Sequence, residues 1–323
     1  MKRKLKIIVI TFLLSICSIS FVDNYFEISK HIDIFTSLYK ELNLFYVDDT
    51  DPGELMNVGI DAMLKSLDPY TSYIPESEIE DFKFMTTGQY GGIGAIITKR
   101  KDFVFISEPY EGYPAQKAGL MAGDKILEIN GKSAKNKTTE EVSKILKGQP
   151  NTSVTLLIER INLKEPFKVT FDREKVTLKS VPYSEYVSDE IGYIKLRSFT
   201  KGCANEIKKT INDLESRGNL KGLILDMRNN PGGLLNESID IVNLFVNQGE
   251  EIVSTKGKIK SWQKSYTARN TPLDINIPLV VLINSASASA SEIVSGSIQD
   301  LDRGVVIGQR SFGKGLVQQT RKL

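Results

Sequence analysis

Three short, uninterrupted apolar runs place the strongest constraint on what this chain can fold into. They are "KGLILDM" at 221–227, "PLVVLIN" at 278–284 and "RGVVIGQ" at 303–309. Apolar runs of this length without polar alternation are typical of strands that are buried on both faces, as in parallel sheets. Between the second and third runs, the apolar residues of 290–301 repeat with helical spacing. The order strand, helix, strand predicts an α/β unit with a parallel crossover.

The loops that follow these three strands carry polar residues that are able to take part in catalysis. They are "RNNPGG" at 228–233, the serine run "SASASAS" at 285–291 and "RSFGKGLVQQ" at 310–319. Because the loops that leave parallel strands lie at one edge of the sheet, we expect all three to converge on a single site. The serine run supplies a candidate nucleophile, provided that a base is near enough to take its proton.

The choice of base is narrow because the chain has one histidine. His31 lies far from the serine run, in a segment with helical spacing of its apolar residues, and we expect it on a helix surface. This position excludes a Ser-His catalytic pair. One histidine together with Cys203 provides too few ligands for a zinc site. The remaining conventional base is a lysine whose pKa is lowered by burial. Lys314 fits, and we expect Gly313 and Gly315 to let the backbone approach closely and bury the amine.

Residues 88–172 carry a different pattern, of short strands and turns around a helix. Thr138 and Glu141 have the spacing of a capping box at the start of that helix. The stretches "YGGIGA" and "SEPYEGYPAQKAGLMAGDKILEINGK" resemble a PDZ domain, a peptide-binding module. The resemblance implies that the loop Gly92, Ile93 and Gly94 offers backbone N–H groups to a peptide's terminal carboxylate, while the peptide adds a strand.

The second half of the chain resembles the C-terminal processing (tail-specific) serine peptidases. The three motifs "LILDMRNNPGGLL", "VVLINSASASASEIVSGSIQD" and "GQRSFGKGLVQQ" are similar to that family's core motifs in order and spacing. The resemblance implies that Ser289 is the nucleophile and that Lys314, 25 positions later, is the base. It also implies that Gln318 orients the lysine. A Ser-Lys dyad of this kind needs no cofactor and no metal.

Further positions carry over from the same resemblance. The backbone N–H of Ala290, together with that of Gly232 or Gly233, is implied as the oxyanion hole. Asp300 also matches a family position, in a supporting role, but its closeness in sequence to Arg303 favours a structural ion pair. The substrates implied are proteins or peptides with apolar C-terminal tails, cleaved near those tails and held by the PDZ domain.

The first 22 residues have the features of a targeting segment. A basic start precedes an apolar run from Ile7, and Ser18 and Ser20 have the spacing of a cleavage site. We expect a signal peptide or a membrane anchor, and therefore a protein exported to the periplasm or the extracytoplasmic face of the membrane. Residues 23–87 read as helices that pack on a neighbouring domain or on a second copy of the chain, and the second alternative would make the protein a homo-oligomer.

The charge balance argues against nucleic acid as a partner. Lys and Arg number 42 against 40 Asp and Glu, and four of the cations precede Ile7. The rest of the chain thus has no excess of positive charge for a phosphate backbone.

The predicted organisation is a targeting segment at 1–22, a helical region at 23–87, a PDZ domain at 88–172 and a peptidase core at 173–323. The fold class is α/β within an α+β multidomain chain, with a mainly parallel core sheet of crotonase-like type. The chain stops nine residues after Lys314, where family members continue. We therefore expect a core that is incomplete at its C-terminus, with strand character through Val317 but an unpaired edge and a poorly buried Lys314.

Two alternatives stay open at this stage. The chain could be a PDZ peptide-binding fragment that recognises tails without cutting them. It could also be a crotonase-like acyl-CoA enzyme, because that superfamily resembles this core, although the export signal and the PDZ domain argue against it.

Overall fold

The structure of the chain is a computed structural model that describes residues 25–323. The predicted targeting segment at 1–22 lies outside the described residues. The chain divides into two units, with the boundary between Tyr73 and Ile74. No helix within residues 25–323 is both long enough and apolar enough to cross a membrane.

The first unit is helical, as the periodicity predicts. Helix α1 covers residues 25–45 and helix α2 covers Pro52–Lys65. Helix α2 begins as its sequence dictates, because the Asp51 side chain accepts a hydrogen bond from the Glu54 N–H at 3.0 Å and Pro52 occupies the first turn. His31 is exposed on α1, 3.4 Å from Glu27, which confirms its place on a helix surface. Helix α2 has no buried residue, and exposed apolar side chains of this unit include Ile28, Ile32, Phe35, Leu38, Leu42 and Val58.

The second unit contains the PDZ region and the core. Its helices are α3 (Ile79–Thr87), α4 (Pro114–Lys117), α5 (Thr139–Leu146), α6 (Cys203–Arg217), α7 (Leu235–Asn243) and α8 (Ala290–Asp300). Its first strands are β1 (Gln89–Gly92), β2 (Ala95–Arg100), β3 (Phe103–Pro109), β4 (Lys125–Ile129), β5 (Lys132–Ser133), β6 (Ser153–Glu159), β7 (Phe167–Asp172) and β8 (Glu174–Thr177). The later strands are β9 (Tyr183–Ser188), β10 (Ile191–Lys195), β11 (Gly222–Asp226), β12 (Glu251–Thr255), β13 (Lys264–Thr267), β14 (Leu279–Ile283) and β15 (Val305–Gly308).

The PDZ region is built on an antiparallel sheet in the order β2-β3-β4-β6-β7, with β5 paired to β4. Strand β6 shows why it forms, because Val154, Leu156 and Ile158 alternate along it and are fully buried against the helices. The predicted capping box of α5 is confirmed. The Glu141 N–H donates to Thr138 Oγ1 at 3.1 Å, and the Thr138 N–H donates to Glu141 Oε2 at 2.7 Å.

One pairing crosses the expected domain limit at residue 172. Strand β8 lies beyond that limit, yet it pairs antiparallel with β1, with Gln89 opposite Thr177 and Gly92 opposite Glu174. The chain therefore enters and leaves the PDZ region as two adjacent strands, which form a small ladder of their own.

The core is a five-stranded sheet in the order β15-β14-β11-β10-β9. The three apolar runs of the sequence form β11, β14 and β15, which pair in parallel as predicted, and β9 adds an antiparallel edge. Leu225 and Val281 are fully buried in neighbouring strands, and Val294 and Ile298 of α8 join the same core. The strand expected through Val317 is wrong, because residues 309–323 contain neither helix nor strand. Apolar character alone does not make a strand when no partner ladder is available.

Candidate active site

The turn between β14 and α8 places Ser289 in a strained backbone conformation. Ser289 is the N-cap of α8, with φ 55° and ψ −112°, and its side chain is half-buried. A non-glycine residue with positive φ costs conformational energy and persists only where the surroundings enforce it, which is frequent at active sites. A sharp strand-to-helix turn of this kind presents a nucleophilic hydroxyl at the end of a sheet.

The other serines of the run have structural surroundings that separate them from Ser289. Ser287 is fully buried, and its hydroxyl donates to the Met227 carbonyl oxygen at 2.8 Å. Ser291 is also fully buried and donates to the Asn230 carbonyl oxygen at 2.9 Å. Ser285 is exposed. Ser287 and Ser291 therefore join the serine turn to residues 227–230.

Asn230 organises the 228–233 loop, and the sequence analysis did not single it out. Its side chain is fully buried, donates to the Leu196 carbonyl oxygen at 3.1 Å and accepts from the Gly232 N–H at 2.9 Å. Its own carbonyl oxygen accepts from the Ala288 N–H at 3.1 Å. The only signal in the sequence was an asparagine in a turn, which is too common to indicate a role.

Gly232 touches the serine turn so closely that no side chain fits. A Cβ at Gly232 would lie 2.6 Å from the Ala288 carbonyl oxygen, 2.9 Å from Ala290 N and 3.0 Å from Ser289 Cβ. The structure thus brings Gly232, Ser289 and the Ala290 N–H together, and that N–H is the first of α8, where no intrahelical acceptor exists. Gly233 instead packs against Phe199, whose carbonyl oxygen would lie 2.5 Å from a Cβ there.

Glu292 joins the serine turn to the loop that carries Lys314, and it is the most important residue that the sequence analysis missed. Its Oε2 accepts from the Ser289 N–H at 2.7 Å and from the Lys314 N–H at 2.9 Å. Its Oε1 accepts from the Ser311 hydroxyl at 2.7 Å and from the Gly313 N–H at 2.6 Å. Burial raises the pKa of the Glu292 carboxyl, but these four hydrogen bonds lower it by more, so that the net pKa lies below its ordinary value. The spacing Ser289 to Glu292 of a capping box was the available signal.

Lys314 and Gln318 are brought together as the resemblance implies. Lys314 Nζ donates to Gln318 Oε1 at 2.5 Å, and Lys314 is half-buried while Gln318 is exposed. The expected close approach at the flanking glycines is wrong, because a Cβ at Gly313 or Gly315 would meet no atom within 4 Å. Gly313 has a φ of +89°, so its conformation, and not a tight contact, requires glycine.

Asp300 is not near this site. It is the last, exposed residue of α8, which puts it about 16 Å along the helix from Ser289 at 1.5 Å per residue. The predicted ion pair with Arg303 is also wrong. Arg303 Nε donates to the Phe245 carbonyl oxygen at 2.6 Å and Nη2 donates to the Asp274 carbonyl oxygen at 3.1 Å.

Comparisons with known proteins identify the family of the chain. Residues 190–323 match the family model of peptidase family S41, and residues 105–160 match that of the PDZ domain. The chain is 37% identical over 292 residues to a carboxy-terminal-processing protease of Bartonella bacilliformis, with 90% of this chain and 67% of the relative covered.

The chain belongs to peptidase family S41.

This result confirms the resemblance to the C-terminal processing serine peptidases, and the family consists of peptide hydrolases. A probable CtpA-like serine protease of Staphylococcus aureus is also 37% identical, over 88% of this chain and 57% of its own length. The chain therefore spans 57% to 67% of the length of these two relatives. A solved photosystem II D1 C-terminal processing protease aligns over 88% of this chain and 82% of its own, with 27% identity and a TM-score of 0.46.

The S41 core also contains a buried carboxylate beside the 228–233 loop. Asp226 ends β11 and accepts from the Tyr193 hydroxyl at 2.5 Å and from Arg228 Nη2 at 2.8 Å, with Lys195 Nζ at 3.1 Å. Burial raises the pKa of Asp226, but the hydrogen bonds from Arg228, Tyr193 and Lys195 hold it well below its ordinary value. Lys195 Nζ also donates to the Arg228 carbonyl oxygen at 2.7 Å, so that this cluster fixes the start of the loop.

The PDZ part of this S41 chain has a groove beside the predicted carboxylate loop. The carbonyl oxygens of Ile93 and Gly94 accept from the N–H groups of Ala115 and Tyr110, each at 2.8 Å, which fixes the loop. Gly92, Ile93 and Gly94 are buried, and within residues 25–323 the N–H groups of Ile93 and Gly94 have no hydrogen-bond acceptor. These two N–H groups are therefore available to an acceptor that enters the loop. The groove is lined by Tyr90, Ile93, Ala95, Ile97, Ser143, Leu146 and Lys147.

Proposed function

We propose that the chain is a serine endopeptidase that processes exported proteins near their C-termini with a Ser289–Lys314 dyad. The observation that carries the proposal is the strained turn at Ser289. The Glu292 carboxylate joins this turn to the loop that carries Lys314, which we call the base loop. The backbone nitrogens of Ser289 and Lys314 each lie within 3 Å of Glu292 Oε2. Residues 25 apart in sequence are thereby held as neighbours.

The reaction is acyl transfer. A neutral Lys314 amine takes the proton of the Ser289 hydroxyl, whose oxygen attacks the peptide carbonyl carbon. The lysine then passes that proton to the leaving amine. It later takes a proton from the water that attacks the acyl enzyme, and it returns this proton to the Ser289 oxygen as the ester bond breaks. Gln318, as the hydrogen-bond partner of the Lys314 amine, orients the base.

The oxyanion requires donors that are already in place. The Ala290 N–H at the start of α8 is one, and the helix dipole favours negative charge there. Gly232 is better placed than Gly233 to supply a second, because it lies against Ser289. Its N–H donates to Asn230 Oδ1 here, so this donor has to turn from Asn230 to the oxyanion during the reaction.

The PDZ groove supplies substrate recognition in this proposal. Apolar walls and the two buried N–H groups of Ile93 and Gly94 suit a peptide with an apolar last residue and a free carboxylate. We place the reaction at the periplasm or the extracytoplasmic face of the membrane, on the strength of the sequence of residues 1–22.

Cleavage of an unfolded protein with an apolar C-terminal tail tests the proposal. We expect the purified chain to degrade it, and both Ser289→Ala and Lys314→Ala to lose the activity while melting at the parent temperature. Ser285→Ala is the matched control, because Ser285 belongs to the same serine run but is exposed, and it should cleave like the parent. Cleavage by Lys314→Ala at the parent rate would refute the dyad.

A peptide-binding role without cleavage is the second candidate. The engagement of the Gly232 N–H by Asn230 favours it, because an oxyanion hole in that state lacks one donor. The same assay separates the two functions. Binding of the tail with no cleavage by the parent chain would establish the binding role.

A further inference from the structure

Lys147 lies at the end of α5, in the wall of the PDZ groove. Its ammonium group is paired with a carboxylate on another helix. Its Nζ is 2.5 Å from Asp81 Oδ1 on helix α3. The same ammonium is 5.5 Å from the ring centroid of Phe84 and 5.7 Å from that of Tyr90. The Lys147 side chain is 27% exposed and that of Asp81 is 41% exposed, so the pair can be reached by a ligand.

Lys147 is the one charged residue among those that line the groove, and the other walls are apolar or neutral. The groove also contains Ile93, whose N–H is one of the two donors that have no acceptor among residues 25–323. A carboxylate bound at these donors would lie in a groove whose wall includes Lys147. A charge-assisted contact of this kind is about twice as strong as a neutral hydrogen bond.

We propose that Lys147 binds the terminal carboxylate of the substrate tail, and that Asp81 is an internal competitor that occupies Lys147 until a tail arrives. The inference rests on the proposed tail recognition by the PDZ groove and adds the residue that selects a free C-terminus. When the tail binds, its carboxylate takes the place of the Asp81 carboxylate at the ammonium. Exchanging one carboxylate for another keeps the ammonium paired, so that no charge is left buried and alone.

The exchange has two consequences for specificity. A tail whose terminal carboxylate is replaced by an amide cannot displace Asp81, and it gains only the apolar contacts of the groove. The competition also lowers the affinity for every carboxylate tail, because part of the binding energy is used to break the Asp81–Lys147 pair.

Binding of two matched peptides tests the proposal. The probes are a short labelled peptide that ends in valine with a free carboxylate and the same peptide with a C-terminal amide, measured by fluorescence anisotropy. All proteins carry Ser289→Ala, so that cleavage does not disturb the measurement. We expect the parent to prefer the acid, and Lys147→Gln to lose about tenfold in affinity for the acid with no change for the amide. Lys147→Arg should keep the preference.

Asp81→Asn is the second variant, and its expected effect has the opposite sign. Removing the competitor should raise the affinity for the acid by about threefold to tenfold and leave the amide unchanged. The control is Lys144→Gln, one turn earlier on α5, where Lys144 is 3.9 Å from Glu140 and does not line the groove. Unchanged binding of the amide peptide shows in each variant that the groove is folded.

Three results would overturn the inference. They are an unchanged ratio of acid to amide affinity in Lys147→Gln, a lower affinity for the acid in Asp81→Asn, and no binding of either peptide by the parent. The last would also remove the proposed tail recognition. An acid preference that depends on Lys147, in a chain whose Ser289 form does not cleave, would refute the proposed peptidase activity and support the carboxylate role of Lys147.

Discussion

Glu292 is the residue on which the relative position of nucleophile and base depends most directly. It accepts from the N–H groups of Ser289 and Lys314 and also fixes Ser311 and Gly313. A neutral amide in its place can accept at one oxygen only, because its nitrogen is itself a donor. The loss of either set of contacts would weaken the attachment of the base loop to the serine turn, which would then depend more on the hydrogen bond from the Phe312 N–H to the Ser287 carbonyl oxygen.

We therefore predict that Glu292→Gln lowers kcat by at least about tenfold, since small displacements of catalytic groups are costly, and leaves tail binding in the PDZ groove unchanged. A steady-state cleavage assay measures the first quantity and peptide anisotropy the second. Glu250→Gln, an exposed glutamate of the same core, should match the parent. Equal kcat values for Glu292→Gln and the parent would contradict the role given to this carboxylate.

The same residue predicts a pH effect on stability. The folded-state pKa of Glu292 lies below its ordinary value of 4.5, so its stabilising contribution is present above that pH and is lost as the pH falls through the folded pKa. Acidification below about pH 4.5 should thus destabilise the parent more than Glu292→Gln. Denaturant unfolding of both proteins across that range measures the difference.

At this scale the sequence could identify individual residues but not the contacts among them. Ser289, Ala290 and Gly232 lie together as expected, because motif order and parallel strands bring their loops to one edge. The Asp300–Arg303 pair was wrong because α8 ends at Asp300, so the helical spacing that would join the two side chains no longer applies. The contacts of Glu292 depend on how separate loops meet, which no local pattern encodes.

At the scale of elements, Arg173 stabilises the end of the helix that forms one wall of the groove. It is buried, and its guanidinium donates to the carbonyl oxygens of Leu146 and Ile145 at 3.0 Å and 2.8 Å, and to that of Ser153 at 3.0 Å. The last carbonyl groups of a helix lack intrahelical donors, and a cation there also complements the helix dipole.

We predict that Arg173→Met lowers the free energy of unfolding by about 2–4 kcal/mol, because several buried carbonyl groups lose their donor. It should also weaken binding of the acid and amide peptides equally, since it disturbs the groove wall and not a charge contact. Lys175→Met, two residues later and exposed, is the control and should be neutral. A selective loss of acid binding in Arg173→Met would instead place Arg173 at the carboxylate.

The elements also show where sequence patterns carry structural information and where they do not. The capping box of α5 and the continuous apolar strands were predictable, because each depends on neighbouring residues in the chain. The β1–β8 ladder was not, since it joins strands more than 80 residues apart that carry no mutual signal. The absence of a strand through Val317 has the same origin, because strand formation depends on a partner that local sequence does not supply.

At the scale of the whole molecule, residues 25–73 of the helical unit carry many exposed apolar side chains. Helix α2 buries none of its residues, and Ile28 and Ile32 of α1 are 56% and 59% exposed one turn apart. Exposed apolar side chains that lie side by side on a helix mark an interaction site. A second copy of the chain is the simplest cover, because it brings an identical apolar surface that must be buried as well.

We therefore predict that the purified protein sediments at a multiple of its 36.1 kDa mass, and that the double variant Ile28→Ser with Ile32→Ser shifts it towards 36.1 kDa. Each substitution removes an apolar side chain whose burial contributes roughly 1.5–3 kcal/mol per copy, enough to dissociate a moderately stable assembly. Lys40→Ser on the same helix is the control and should retain the parent mass. Sedimentation of the parent at 36.1 kDa across the accessible concentrations would mean that this surface is covered within one chain.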